Sequence, residues 1–411
     1  MLPVALRFTV GDPFRRICPR IALPVTKLLS TDELRTALDA RLAAYARSDT
    51  GDWRLFEEPT TRDIALDGQP LVLLGAGAVV AGDFVAHAVQ NFDVAVLVDN
   101  QRLGQSLFGR PCGGDEDFRA AAKRHPGLVA VMCCASDGAV RHFADLAAEL
   151  GVRVLSLYQA RRRLGPIAFG GGHGAPEMIE RHAHANPFLG RFADETSLRS
   201  YYCVLLHRLS WSRHWLDQIR LPYGAMYFGT DAFPVSETEI LIDGGAFDGD
   251  TIRAFDGFSH ARARRIYAFE PDGDNVAALR TAMAGRDEIR IVEAGLWSES
   301  TTLSFQAGGA LGSALGGDGS VSVPVVALDD CDIDDATLIK MDIESAEIPA
   351  LRGGRNLIAR SKPKLAIAAY HLPDDLIEIP RAILDINPDY RLFLRHHSPW
   401  LTDTVIHAAA P

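Results

Sequence analysis

Twice along this chain a short apolar run meets a glycine-containing turn and then a helical pattern. That alternation calls for strands that run parallel and are covered on both faces by helices. The first stretch opens at Leu71-Val72-Leu73-Leu74 and closes near Val152-Arg153-Val154-Leu155; the second opens at Ile240-Leu241-Ile242 and continues to the C-terminus. The expected class is therefore α/β, with two parallel-sheet domains joined by a helical segment. Residues 1–66 read as a helical N-terminal segment, with Thr31-Asp32-Glu33-Leu34 opening a run to about Ala46. The first sheet domain is placed at 67–165, a glycine-rich linker and helical segment at 166–235, and the second sheet domain at 236–411. The linker rests on Phe169-Gly170-Gly171-Gly172-His173-Gly174, which neither helix nor strand tolerates well. Beyond it, Asp194-Glu195-Thr196-Ser197 opens a helix on which Leu198, Tyr202, Leu205 and Leu209 form one stripe. Such a stripe is read as helix packing in preference to a substrate platform.

Composition narrows the partners. With 42 Lys and Arg against 53 Asp and Glu among 411 residues, the net charge is −11, which offers no basic surface to nucleic acid. Six cysteines without CxxC spacing are too sparse for a disulfide framework or a structural zinc site. Met1 to Ser30 is broken by Asp12, Pro13, Arg15, Arg16, Pro19 and Arg20 and has no continuous apolar core of a leader. No apolar run approaches the roughly 18 residues of a membrane span, so a cytoplasmic location is expected.

In the first stretch, Leu74-Gly75-Ala76-Gly77 follows a strand and precedes a helical run from Val79 to Gln90. The next strand, Val94 to Val98, ends at Asp99. This is the layout of a Rossmann-like mononucleotide half, in which glycines let phosphate approach and the acid accepts from a ribose hydroxyl. Val80 stands where the third glycine of the fingerprint would be. A later helix, Ala139 to Leu150, carries an apolar face, and Cys133-Cys134 at a strand end read as buried structural thiols.

The second stretch carries the stronger signal. A buried strand ends at Asp243, followed by Gly244, Gly245, Ala246, Phe247, Asp248 and Gly249, and Asp250-Thr251 opens a helix. The next strand, Arg265 to Phe269, ends at Glu270-Pro271, 27 residues beyond Asp243. An acid there can take both ribose hydroxyls of an adenosine. The turn holds no Lys or Arg and no P-loop, and its carboxylates suit a ligand bearing an ammonium and a sulfonium, which points to S-adenosylmethionine in preference to NAD or ATP. Further strands are expected at 290–292, at Leu338 to Asp342 and at Lys364 to Ala369, the last ending in Tyr370-His371. A closing hairpin is expected from Tyr390–Leu394 and Thr404–Ala408. Ligands of open parallel sheets bind beyond the carboxyl ends of the strands, so Asp243, Glu270, Asp342 and His371 should surround one cleft.

Together, the turn from Ile242 to Thr251, Phe269-Glu270-Pro271, Ile339-Lys340-Met341-Asp342-Ile343-Glu344, Tyr370-His371 and the tail from Tyr390 to Thr404 resemble the FkbM family of S-adenosylmethionine-dependent methyltransferases. The likeness spans roughly residues 190–408. It implies a seven-stranded class I methyltransferase fold with an antiparallel C-terminal strand, and O-methylation, often of sugar hydroxyls. A small-molecule or glycan acceptor is thus the expected partner, and a second copy of the chain is left open. The cofactor would lie against Asp243, Gly244, Gly245, Ala246, Gly249 and Glu270. Ser345 departs from the glycine that the family usually has after its Asp-x-Glu element. The first sheet domain is more loosely similar to Rossmann modules of nucleotide-sugar enzymes, in an accessory role.

Methyl transfer to a hydroxyl needs a positioned oxygen and somewhere for its proton to go. His371 is the candidate base, with Asp342 and Glu344 as catalytic carboxylates. A structural histidine bonded to a neighbouring carbonyl is the other reading of His371. Asp342, Glu344 and Glu347 have oxygen-ligand character suited to Mg²⁺ or Ca²⁺, but Asp342 is assigned to orienting substrate or base, Glu347 to a helix N-terminus, and no residue to a metal. Lys340, inside a strand, is expected to pair with a carboxylate, and His396-His397 to lie on the surface. Two rivals remain at this point: a nicotinamide-dependent oxidoreductase using Gly75, Gly77 and Asp99, and a non-catalytic module that only binds S-adenosylmethionine or a nucleotide sugar.

Overall fold

A computed structural model describes residues 28–48, 53–78, 81–134, 136–165, 173–306 and 320–411. The glycines Gly170 to Gly172, Val79-Val80 and Cys18 lie outside these residues.

The first sheet contains β1 (Leu71–Leu74), β2 (Val94–Val98), β3 (Ser106–Leu107), β4 (Arg110–Gly113), β5 (Val129–Met132) and β6 (Arg153–Ser156), in the order β3-β4-β2-β1-β5-β6. All neighbours are parallel except the short β3–β4 hairpin. Because successive side chains alternate in face, Leu71, Leu73, Val129 and Val131 enter one core, and Val72, Leu74, Ala130 and Met132 the opposite one. The helices Gly82–Asn91 and Asp137–Glu149 cover those faces, each within a few residues of its sequence-read span.

The second sheet contains β7 (Ile240–Gly244), β8 (Arg265–Phe269), β9 (Ile289–Val292), β13 (Leu338–Met341), β14 (Lys364–Ala368), β15 (Arg391–His396) and β16 (Thr404–Ala409). Its order is β15-β16-β14-β13-β7-β8-β9, with β16 antiparallel to both of its neighbours. This is the seven-stranded arrangement expected, and the strand order reverses between β7 and β13. A small third sheet, β10 (Gly295–Leu296), β12 (Ser320–Val326) and β11 (Thr301–Gln306), adds to the chain where no strand was read in the sequence.

The N-terminal helix Thr31–Ala46 is closed by a capping box: Ser30 Oγ accepts from the Glu33 amide, and the Glu33 carboxylate accepts from the Ser30 amide. Its Leu34 and Leu38 share a core with Tyr201 and Leu205 of the helix Glu195–Ser210, and with Ile339, Leu351 and Ile379 of the second sheet's layer. The N-terminal helix thus completes the second sheet's core. The stripe on Glu195–Ser210 packs as read, with Tyr202, Leu205 and Leu209 buried. Asp194 caps that helix by accepting from the Ser197 amide, and it also receives the buried Arg395 of β15, which ties helix to sheet.

His396 and His397 depart from their expected surface position, since both are buried. His396 contacts Thr404 Oγ1 and the Ser398 carbonyl, and His397 the Pro222 carbonyl. Burial lowers the pKa of both rings, which suits neutral imidazoles, although Nε2 of His397 has no hydrogen-bond partner. Among the described residues, no helix is long and apolar enough to cross a membrane.

Candidate active site at the carboxyl edge of the second sheet

Ligands of open parallel sheets bind where the strand order reverses, and here that is the edge beyond β7 and β13. The turn after β7 is built for close approach. Gly245 has φ +75°, and a Cβ placed on it would stand 2.1 Å from the carbonyl oxygen of Asp342. Only glycine lets the two strand ends meet so closely.

Register explains what lies beneath the turn. Asp243 of β7 is the ladder partner of Lys340 of β13, so their side chains emerge together on one face. Both are buried, and Lys340 Nζ lies 3.2 Å from Asp243 Oδ1. The ammonium also donates to the carbonyls of Gly244 and Gly245, at 3.0 and 2.8 Å. Burial pushes the Asp243 carboxyl up to about 6 against the pull of Lys340. The expected pairing of Lys340 is present, and through it Asp243 braces the turn.

The turn is less negative than its sequence reads. Lys340 offsets Asp243, and Arg253 of the following helix reaches the Asp248 carboxylate at 2.8 Å. Asp250 accepts from the amide and hydroxyl of Thr251. Glu270, beyond β8, leans over the turn: Oε2 accepts from the Phe247 amide, and Oε1 from the Asp272 amide and the Asn275 side chain. Gly244, Gly245, Ala246, Gly249 and Glu270 are therefore one continuous cradle, with Asp243 underneath.

Beyond β13 and β14 lies a second cluster. Asp342 accepts from the Tyr227 hydroxyl at 2.6 Å and from the Tyr370 hydroxyl at 3.0 Å. Burial, with Asp342 beside them, pushes both phenols well above their ordinary range, so they remain donors. His371 Nδ1 stands 3.0 Å from Glu347 Oε1, while Nε2 stands 3.3 Å from Asp342 Oδ1 and 3.7 Å from Glu344 Oε2. Burial would lower the imidazole pKa, but the contact with Glu347 and the charges of Glu347, Asp342 and Glu344 outweigh it and raise it to about 9. Glu344 is itself raised by burial and by Asp342 and Glu347, against the pull of His371.

Asp342, Glu344 and His371 thus come together as the sequence anticipated. Glu347 opens the helix Glu347–Gly353 as read, and it also joins them: it is buried, and its Oε1 accepts from the Ile343 amide at 2.8 Å. Tyr227 and Asp403 were missed. Tyr227 lies in a loop segment with no motif. Asp403 lies in the β15–β16 turn, and its carboxyl is raised by burial and by Asp342.

That turn leans on the first sheet domain. Tyr158 packs its ring against Trp211 and Trp400, and Ser156 Oγ donates to the Trp211 carbonyl. His173 contacts the carbonyl of His371 at 3.3 Å.

Glu344 and Ser345 hold φ of +54° and +82°, in the left-handed region that glycine enters freely. Ser345→Gly should relieve that strain and raise stability by about 0.5–1 kcal/mol, even after the added freedom of the unfolded chain. The denaturant midpoint reads this directly, and a lower midpoint would count against the strain.

The first sheet's edge is occupied differently. Asp99 accepts from the amides of Gly77 and Gln101, at 3.1 and 3.0 Å, so its carboxylate holds its own loop. Gly75, with φ +74°, would place a Cβ 2.3 Å from that of Cys134, so chain packing already requires this glycine. Burial raises the Cys134 thiol to about 11, and Cys133 is pushed up further, as inert core cysteines should be.

The strand order, the glycine turn and the acid after the second strand of this sheet together define a class I methyltransferase fold. Residues 243–397 match the methyltransferase FkbM domain, so the chain carries an FkbM-type methyltransferase domain in its C-terminal half. It is 26% identical over 234 residues to the 2-O-methyltransferase NoeI of Sinorhizobium fredii (strain NBRC 101917 / NGR234), an alignment covering 50% of this chain and 91% of that protein. A crystal structure of methyltransferase FkbM from Methylobacillus flagellatus KT superposes with a TM-score of 0.74 at 27% identity. That match covers 92% of this chain and all of the other. The structural likeness therefore takes in both sheets.

Proposed function

We propose that the chain transfers a methyl group from S-adenosylmethionine to a hydroxyl of a small molecule, a sugar or glycan being the acceptor class. The observation that carries this reading is the placement of two clusters on one carboxyl edge: the glycine cradle with Glu270, and the Asp342–His371–Glu347 group with Glu344. Gly244 to Gly249 supply the close-approach surface an adenosyl ligand needs. Glu270 carries carboxylate lone pairs suited to ribose hydroxyls, although its present donors from Phe247, Asp272 and Asn275 must share them. When bound, the cofactor supplies an electrophilic methyl carbon on a sulfonium. This chain's own residues then have to hold the acceptor oxygen in line and receive its proton. Asp342, Glu344 and His371 are the groups proposed for that work, with Glu347, Tyr227 and Tyr370 fixing their orientation. The oxygen acceptor is supported by the 2-O-methyltransferase relative, and the sugar class by the resemblance to the FkbM family.

Glu270→Ala should weaken S-adenosylmethionine binding by about 1.5–3 kcal/mol, the worth of a hydrogen bond to a charged group. Calorimetric titration measures it, and unchanged affinity would remove Glu270 from the site. Incubation with methyl-tritiated S-adenosylmethionine and a panel of free sugars and oligosaccharides tests the acceptor class. Label in a methyl ether supports it, whereas label only on amines or carboxylates refutes it.

A further inference from the structure

Building on the methyltransferase reading, we propose that Tyr223 is the surface on which the acceptor lies, and that this acceptor is an uncharged saccharide, not a nucleotide sugar or sugar phosphate.

Tyr223 stands on a fixed backbone. It opens the short helical turn Tyr223–Ala225. The Leu221 amide donates to the His396 carbonyl at 2.9 Å, and the Pro222 and Met226 carbonyls meet the rings of His397 and His407 at 3.0 and 3.1 Å. Four residues on, the buried Tyr227 donates to Asp342 at 2.6 Å. Both flanks of Tyr223 are thus tied to β15, β16 and the acid cluster, yet its own side chain is 64% exposed. Among the described residues six large hydrophobic side chains stand exposed, and three of them, Tyr223, Phe247 and Leu372, belong to this carboxyl edge. Phe247 lies in the cradle and Leu372 follows His371. Exposed apolar side chains gathered beside polar groups mark a place where a ligand packs.

The charges that reach Tyr223 locate it. Partial burial, and then Asp403, Asp250 and Asp342, raise its phenol. Those carboxylates come from the β15–β16 turn, from the helix after the cradle and from the end of β13, so the ring borders both cradle and acid cluster. A methyl group passing from one to the other, and the oxygen that receives it, must lie beside this ring.

The same surroundings select the acceptor. A pyranose has an apolar C–H face that packs on an aromatic ring, while its hydroxyls donate to carboxylates at the rim. Asp342, Glu344 and Asp403 supply such acceptors. Phosphate is repelled here. Among the described residues no Arg or Lys forms an ion pair with Asp250, Asp342, Glu344 or Asp403, and Lys340 and Arg253 are held by Asp243 and Asp248. The cation of the cluster, His371, is already shared by Glu347, Asp342 and Glu344. Asp250 stands at the helix N-terminus where a diphosphate would otherwise settle.

The test supplies the full chain with methyl-tritiated S-adenosylmethionine and two acceptor panels: methyl glycosides and oligosaccharides of glucose, galactose and mannose, and UDP-glucose with GDP-mannose. S-adenosylhomocysteine is titrated by calorimetry alongside. Label is expected in a neutral saccharide. For that acceptor Tyr223→Ala should raise KM by about tenfold or more with kcat within about threefold, and Tyr223→Phe should restore KM, because the ring binds acceptor without taking part in the transfer. S-adenosylhomocysteine affinity should be the same in both variants, which shows that they fold. Label only in the nucleotide sugars would overturn the proposal. So would label in no neutral saccharide despite S-adenosylhomocysteine binding, or an unchanged KM in Tyr223→Ala. Absence of S-adenosylhomocysteine binding by the unaltered chain would instead defeat the methyltransferase reading, and the proposal with it.

Discussion

Replacing His371 by alanine should lower methyl transfer by about 10²–10⁴-fold, the usual contribution of a positioned acid–base group. The expectation follows from the ring's place among Glu347, Asp342 and Glu344, all within 3.7 Å of one or other nitrogen. Removing it leaves three carboxylates facing one another without the imidazole that lies between them. S-adenosylmethionine affinity should change little, because the cradle is formed by the turn from Gly244 to Gly249 and by Glu270. A parallel fall in cofactor affinity and rate would instead mean that the cluster shapes the cofactor pocket. His371→Gln, which keeps a polar side chain without a titrating ring, separates steric loss from lost chemistry. Near-full activity in that variant would assign His371 a purely structural role.

The second large effect concerns stability. Lys340→Met should cost about 3–5 kcal/mol, because breaking one partner of a buried ion pair leaves an uncompensated charge. The carboxylate of Asp243 is fully buried and has no hydrogen-bond donor, and the same ammonium holds the carbonyls of Gly244 and Gly245. Thermal unfolding should therefore fall by on the order of 10 °C. The double variant Lys340→Met with Asp243→Asn removes the stranded charge, and should unfold later than Lys340→Met alone. Additive losses in that cycle would show that the pair is not coupled. Adenosyl binding should weaken along with stability, since the turn loses its brace.

Much of this architecture is readable before any coordinates. Parallel strands buried on both faces leave short apolar runs such as Leu71–Leu74 and Ile240–Ile242, and these locate both sheets. Because all such strands share a carboxyl edge, residues at their ends meet in space however far apart they lie in sequence. That is why Asp342, Glu344 and His371 could be grouped, and Asp243 with Glu270.

Other features depend on partners that no local pattern names. Lys340 and Arg253 neutralise acids of the turn from outside it, so its charge was overread. Glu347 looks like an ordinary first-turn acid until the fold buries it against His371. His396 and His397 look solvated, yet both are buried, with Thr404 Oγ1 and the Ser398 carbonyl against His396 and the Pro222 carbonyl against His397. The strand Ser320–Val326 alternates serine and valine, but Pro324 within it obscured the pattern.

The first sheet domain follows the same logic with a different result. Its Gly75 and Asp99 carry the look of a nucleotide site. Here, however, Cys134 fills the space beside Gly75, and the Asp99 carboxylate is bonded to its own loop. What the domain visibly does is hold the β15–β16 turn, through Tyr158, Trp211 and Trp400.

The most direct test of the central claim is calorimetric titration of the full chain with S-adenosylmethionine, S-adenosylhomocysteine and NADH in parallel. Binding of both adenosyl ligands without an NADH signal is the predicted result, and it would place the cofactor at the turn after β7. Binding of NADH alone would contradict the account and move the active site to Gly75, Gly77 and Asp99.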